Sequence, residues 1–334
     1  LIGRSHAMLG AVGYLSFVTA SQLEIETHYL VVGTSVAAVL TPVFVAIPSG
    51  VQMQRTRATY FRDSIYKFFY RTLAMPYMVL LLMCAAQWTA VLAPWLIPSH
   101  PGWIVAWAAV CTGWALIPDI DEPKSTISRE FGAVSQSVSN FTRKQGGGHR
   151  MITHSWIMVV ATIVLGLVAA LLPPVSALMF GVSFVFAIRV IMPEKAHQQS
   201  TPLMLTAALL GVMIASAASN PWPILIAMPL GVLMHDLGDW FTRAGITFWY
   251  PYRKKYGAGA TPAGSPSELH FAQPFMVLLI LAGLIYLAAI PLLLDPQSLA
   301  SNLGMSNYAP LSTITPDDLR QLMKSLVAWL RQKN

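Results

Sequence analysis

Apolar residues run along this chain in long blocks, broken by shorter polar stretches that collect most of the charge. A helix needs about 20 predominantly apolar residues to cross a bilayer core, with roughly 17–25 tolerated. On that criterion about nine blocks predict crossings, near 6–20, 28–48, 73–97, 102–118, 155–172, 174–192, 202–218, 222–241 and 272–294. The first is short, has no small-residue cleavage site, and reads as a retained helix. Pro229 and Gly231 inside the eighth are tolerable where neighbouring helices satisfy the freed backbone groups. The predicted fold is an all-α, polytopic membrane helical bundle, one embedded domain over 1–294. A tail over 295–334 follows, where Thr315-Pro316-Asp317-Asp318 opens an amphipathic helix over 316–332. Its Leu319, Leu322, Met323, Leu326, Val327 and Leu330 recur at helical spacing, which suits the membrane surface or a protein partner.

Composition agrees with the block pattern. Of 334 residues 55% are hydrophobic and 10% charged, against roughly 25% charged in soluble domains. That excludes a soluble globular protein and a disordered tail. The net charge of +7 would suggest nucleic acid in a soluble protein, but in a membrane protein it first reports orientation, and no nucleic-acid partner is expected. One side of the predicted topology holds Arg4, the 49–72 loop with Arg55, Arg57, Arg62, Lys67 and Arg71, and the 119–154 loop with Lys124, Arg129, Arg143, Lys144 and Arg150. Arg189, Lys195 and the 242–271 loop add to it, and only the tail places Lys or Arg opposite. The N-terminus is therefore expected in the cytoplasm and the C-terminus outside, in a bacterial inner membrane. Aromatic residues interleave the basic ones over 55–72, as in a helix lying on anionic lipid or an ordinary positive-inside loop.

The ionisable residues converge on that same cytoplasmic face. His6, Asp119, Asp121, His149, His154, Glu268 and His270 fall at helix ends there, and the eighth block brings His235, Asp236 and Asp239. His235-x3-Asp239 sets two side chains one turn apart on a helical face, where they either share a metal or make an interhelical hydrogen bond. Gly147-Gly148-His149-Arg150-Met-Ile-Thr153-His154-Ser155 offers two imidazoles suited to zinc, with Arg150 able to hold a phosphate oxygen or carboxylate. It reads equally as an ordered loop with a helix cap. Pro118-Asp119-Ile-Asp121 would aim both carboxylates one way if extended, or would be a polar cap. Cys84 and Cys111 lie in apolar blocks, so neither a disulfide framework nor a cysteine metal knuckle is available.

In combination, His6, Pro118-Asp119-Ile-Asp121-Glu-Pro123-Lys-Ser125-Thr126, His149-Arg150-Met-Ile-Thr153-His154-Ser155 and His235-x3-Asp239 resemble the YdjM-like membrane-bound metal-dependent hydrolases. The resemblance covers the first helix and roughly 102–290, leaving 28–97 as a two-helix insertion. That family is grouped with the zinc-dependent phospholipase C and P1-type nucleases, which implies a phospholipase C/P1-like helical core. It implies His6, Asp119, Asp121, His149, His154, His235 and Asp239 as metal ligands, with zinc, or else manganese, as one to three ions. Glu122 stands where many relatives carry His, and Glu268 and His270 are what remains for a further His and Glu cluster.

The expected function is a membrane-bound phosphoesterase acting on a phospholipid or lipid-linked phosphate at the cytoplasmic surface, with Asp121, Asp236 and Arg150 as catalytic candidates. Asp121 or Asp236 would serve as base or as orienting partner of an imidazole. The alternatives are a cation or proton transport protein built on the same His and Asp residues, and a structural membrane subunit whose metal staples its loops.

Overall fold

The computed structural model describes residues 3–23, 30–36, 77–98, 101–191, 201–257 and 264–289, except for positions 32, 78, 243, 256, 258–263 and 267. The basic loop 49–72 and the tail helix 316–332 lie outside the described residues. Among the described residues the chain is helical: α1 is Gly3–Ser21, α2 Val79–Leu92, α3 Pro101–Trp114, α4 Thr126–Glu130 and α5 Ala133–Gln145. Then come α6 Trp156–Leu171, α7 Pro173–Ile191, α8 Thr201–Ala217, α9 Ile224–Phe241 and α10 Gln273–Leu284.

Among the described residues four stretches are long and apolar enough to cross a membrane: Gly102–Asp121, Pro173–Val190, Ile224–Phe241 and Glu268–Leu287. Three shorter apolar helices, Val79–Leu92, Trp156–Leu171 and Pro202–Ala217, stand at other predicted crossings. Helix α1 has the length but opens on Arg4, Ser5 and His6. Many large apolar side chains point outward, among them Val160, Val164, Leu209, Met213 and Leu278. In a soluble protein such a surface would be an aggregation liability, whereas on a bundle in lipid it faces its solvent.

The centre is built by α1, α3, α7 and α9 around Tyr14, Val18, Ile104, Trp107, Phe180, Ile224 and Met228. Lipid tails are as apolar as these side chains, so close backbone approach has to hold the helices together. A Cβ on Gly231 would lie 2.5 Å from the Cys111 carbonyl oxygen, and one on Gly10 2.7 Å from Ala115 Cβ. The Cys111 thiol donates to the Gly10 carbonyl at 3.2 Å. Gly10 sits one turn beyond His6, and Gly231 one turn before His235. The tight α1–α3–α9 crossing is therefore what sets the depth and rotation of both imidazoles.

Two local structures differ from the sequence reading. Residues Ile117–Asp121 form a 3-10 turn rather than an extended segment. At three residues per turn, positions i and i+2 point about 240° apart, so Asp119 and Asp121 face different partners. The 119–154 loop also contains helix α5, which the sequence reading missed.

Candidate metal centre

Five side chains from four elements meet where α1 begins and α3 and α9 end. His6 comes from α1, Asp119 from the 3-10 turn, His154 from the turn Ile152–His154, and His235 and Asp239 from α9. The three histidines and Asp239 are at most 1% exposed. His154 Nε2 and His235 Nε2 lie 3.0 Å apart. Asp239 Oδ2 is 3.4 Å from the first and 3.9 Å from the second, and Asp119 Oδ1 is 3.9 and 3.8 Å from them. His6 Nε2 is 3.3 Å from Asp239 Oδ1, and its ring stacks on that of His235 at 3.7 Å.

Hydrogen bonding fixes the tautomers. His235 Nδ1 meets the Ala115 carbonyl at 2.7 Å; a carbonyl only accepts, so Nδ1 carries the proton and Nε2 a lone pair. Thr153 donates its hydroxyl proton to Asp121 Oδ2, so its oxygen accepts from His154 Nδ1 at 3.0 Å. His154 Nε2 is then also a lone pair. Two lone pairs at 3.0 Å repel, and a cation between them, flanked by two carboxylates, reverses that sign. Zinc bonds of about 2.0–2.1 Å in tetrahedral array place ligand atoms about 3.3 Å apart. The separations among His154, His235, Asp119 and Asp239 bracket that value, so these residues fit a divalent metal. Among the described residues two overlapping groups, His6–His235–Asp239 and Asp119–His154–His235, each bring one ligand atom per residue within 4.8 Å of the others.

The remaining expected site residues support this cluster from behind. Asp121 Oδ1 meets His149 Nδ1 at 2.6 Å, and its Oδ2 accepts from the Arg150 backbone N–H at 3.1 Å as well as from Thr153. Arg150 donates to Asp239 Oδ1 at 2.7 Å and to Thr242 at 3.0 Å, so its guanidinium is engaged inside the protein. Its backbone is held at φ 63°, a left-handed conformation that costs roughly 1–2 kcal/mol in a non-glycine residue. The Asp121 contact and the Thr247 hydroxyl on its carbonyl hold it there. Gly147 and Gly148, at φ 83° and 120°, make the turn that delivers His149. Burial pushes the His149 imidazole pKa down, but the Asp121 hydrogen bond and charge outweigh it and the net shift is upward.

Asp236 is buried one position beyond His235, and neither of its carboxylate oxygens has a hydrogen-bond partner among the described residues. Glu268 accepts from Ser5 at 2.5 Å and from the Gly264 N–H at 2.8 Å, and His270 is exposed. Neither belongs to the two ligand groups. Sequence reasoning missed the Thr153 bridge, the Arg150–Asp239 pair and the Ser5–Glu268 bond. Thr153 had a signal in its place beside His154, and Arg150 was expected to hold a phosphate oxygen or a carboxylate, without Asp239 being named as that carboxylate.

With this geometry in place, comparison with protein families adds an independent observation: the family model for the YdjM inner membrane protein matches residues 80–295. The chain belongs to the YdjM inner membrane protein family. The YdjM match holds Asp119, Asp121, His149, His154, His235 and Asp239, while His6 precedes it and lies against Asp239. No curated protein and no solved structure matches the chain.

The Thr153 bridge gives a first prediction. Thr153→Val keeps the side-chain shape but removes the acceptor for His154 Nδ1–H. Loss of an outer-shell partner typically costs 10–100-fold in metal affinity, so a loss in that range is expected in a chelator competition titration. Unchanged affinity would show that Thr153 does not set the imidazole.

Proposed function

We propose that this chain is a membrane-bound, metal-dependent phosphoesterase with about nine crossings and a phospholipase C/P1-like helical core. Its substrate class is a phospholipid or lipid-linked phosphate at the cytoplasmic surface. The observation that carries the reading is the facing pair of imidazole lone pairs on His154 and His235, flanked by Asp119 and Asp239. His6, Asp119, His154, His235 and Asp239 would hold the metal, zinc or else manganese. Such an ion polarises a phosphoryl oxygen and lowers the pKa of water at the site. Arg150 keeps Asp239 in place, and Asp121 orients His154 through Thr153. His149, tied to Asp121 through Nδ1, leaves Nε2 to carry a proton to or from the reacting phosphate. Its side chain is 28% exposed, unlike the buried imidazoles behind it, so solvent can exchange that proton.

Elemental analysis of the detergent-purified protein tests this. One or more zinc or manganese ions per chain are expected, lost in a still-monodisperse His149→Ala, Asp239→Ala double variant. A phosphoester screen of the loaded protein follows. Absence of metal even after reconstitution refutes the reading. Asp236 favours transport as a second reading, because a buried intramembrane carboxylate without hydrogen-bond partners among the described residues suits proton carriage. Proton flux in vesicles that Asp236→Asn abolishes, with metal content intact, would establish transport instead.

A further inference from the structure

Helix α5, Ala133–Gln145, is amphipathic with its faces reversed relative to a helix packed on a protein core. The side turned into the protein carries Ser135 and Ser139, 5% and 0% exposed, while Val134, Val138 and Phe141 are 71%, 47% and 65% exposed. Positions 134, 138 and 141 follow i, i+4, i+7 spacing and form one stripe. Phe131, 49% exposed just before the helix, adds to it.

Hydrogen bonds fix the start of this helix and tie it to the preceding loop. Ser135 accepts from the Phe131 N–H at 3.0 Å, and Gln136 donates to the Pro123 carbonyl at 3.0 Å. Helix α5 also packs on the Ile117–Asp121 turn, the end of the Gly102–Asp121 span. At 13 residues it is about 20 Å long, too short to cross a hydrocarbon core of about 30 Å. The helix is thus fastened at the end of a membrane span with its apolar stripe outward.

We propose that α5 lies in the plane of the bilayer interface, its Val134–Val138–Phe141 stripe inserted among the lipids around the protein. Two observations select lipid as the occupant. The surface is continuous with the span to which α5 is fastened, and exposed Lys124, Arg129 and Lys144 stand around it for anionic headgroups, with Glu122 already paired to Arg143. A basic polar flank beside an apolar stripe is the signature of interfacial helices. The inference stands independently of any metal, since none of these residues touches the ligand cluster.

The test uses the full chain in vesicles of phosphatidylethanolamine and phosphatidylglycerol, with a nitroxide on Val138→Cys, Phe141→Cys or Asn140→Cys. Cys84 and Cys111 are buried, and labelling of the unsubstituted chain gives the background. All three positions are exposed, so the substitutions remove no core contact. The expected result is a severalfold excess of collisions with oxygen over an aqueous nickel complex at 138 and 141, reversed at 140. Equal water access at all three overturns the proposal. Shielding of 138 and 141 from both reagents also overturns it, by showing that protein covers the face.

Discussion

Replacing Asp239 by Asn is expected to empty the metal centre and destabilise the helix bundle together. The carboxylate faces His154 and His235 through Oδ2 and meets both His6 and the Arg150 guanidinium through Oδ1. An amide keeps the shape but removes the negative charge that these partners need. Breaking a buried ion pair by removing one partner costs about 3–5 kcal/mol, because the other charge stays buried. Any stabilisation that zinc confers, about 2.7 kcal/mol at a hundredfold excess over Kd, should vanish with it. Thermal unfolding with and without added zinc, beside elemental analysis, reads both effects. A variant that keeps its metal and its zinc-dependent rise in Tm would place the site elsewhere.

The second large effect is expected from Gly231→Ala, which alters no ligand. Its Cβ would meet the Cys111 carbonyl oxygen at 2.5 Å, Trp114 Cβ at 2.9 Å and the Ala115 nitrogen at 3.0 Å. Backbone atoms cannot swing aside, so α3 and α9 must part. Overpacking costs about 1–3 kcal/mol, and here the separation also pulls His235 from the Ala115 carbonyl that fixes its tautomer. Metal affinity should fall by at least tenfold, with helix content unchanged by circular dichroism. Wild-type affinity in this variant would mean that the crossing does not position the imidazole.

How far the site was legible depended on sequence distance. His235 and Asp239 were legible because both lie on one helix, where spacing dictates direction. The Asp119–Asp121 pair shows the limit: alternation has a direction only once the backbone is known, and a 3-10 turn sent the two carboxylates to separate partners. Arg150 looked free to meet substrate, but its pairing with Asp239 joins residues 89 apart, a distance at which local pattern is silent. Helix α5 escaped notice because its inward residues are serines, so no apolar stripe marked a buried face. The apolar blocks were legible because bilayer thickness imposes a length on them, and the apolar helices among the described residues fall on those blocks.

The bond between Ser5 and Glu268, with Gln273 donating to the same hydroxyl at 3.0 Å, joins the first described helix to the last. Synthesis runs from the N-terminus, so His6 enters the membrane long before the residues that clasp its helix exist. This clasp therefore forms only after every ligand-bearing segment of the centre has been made. Until residues 268–273 arrive, α1 is held by α3 and α9 without this latch.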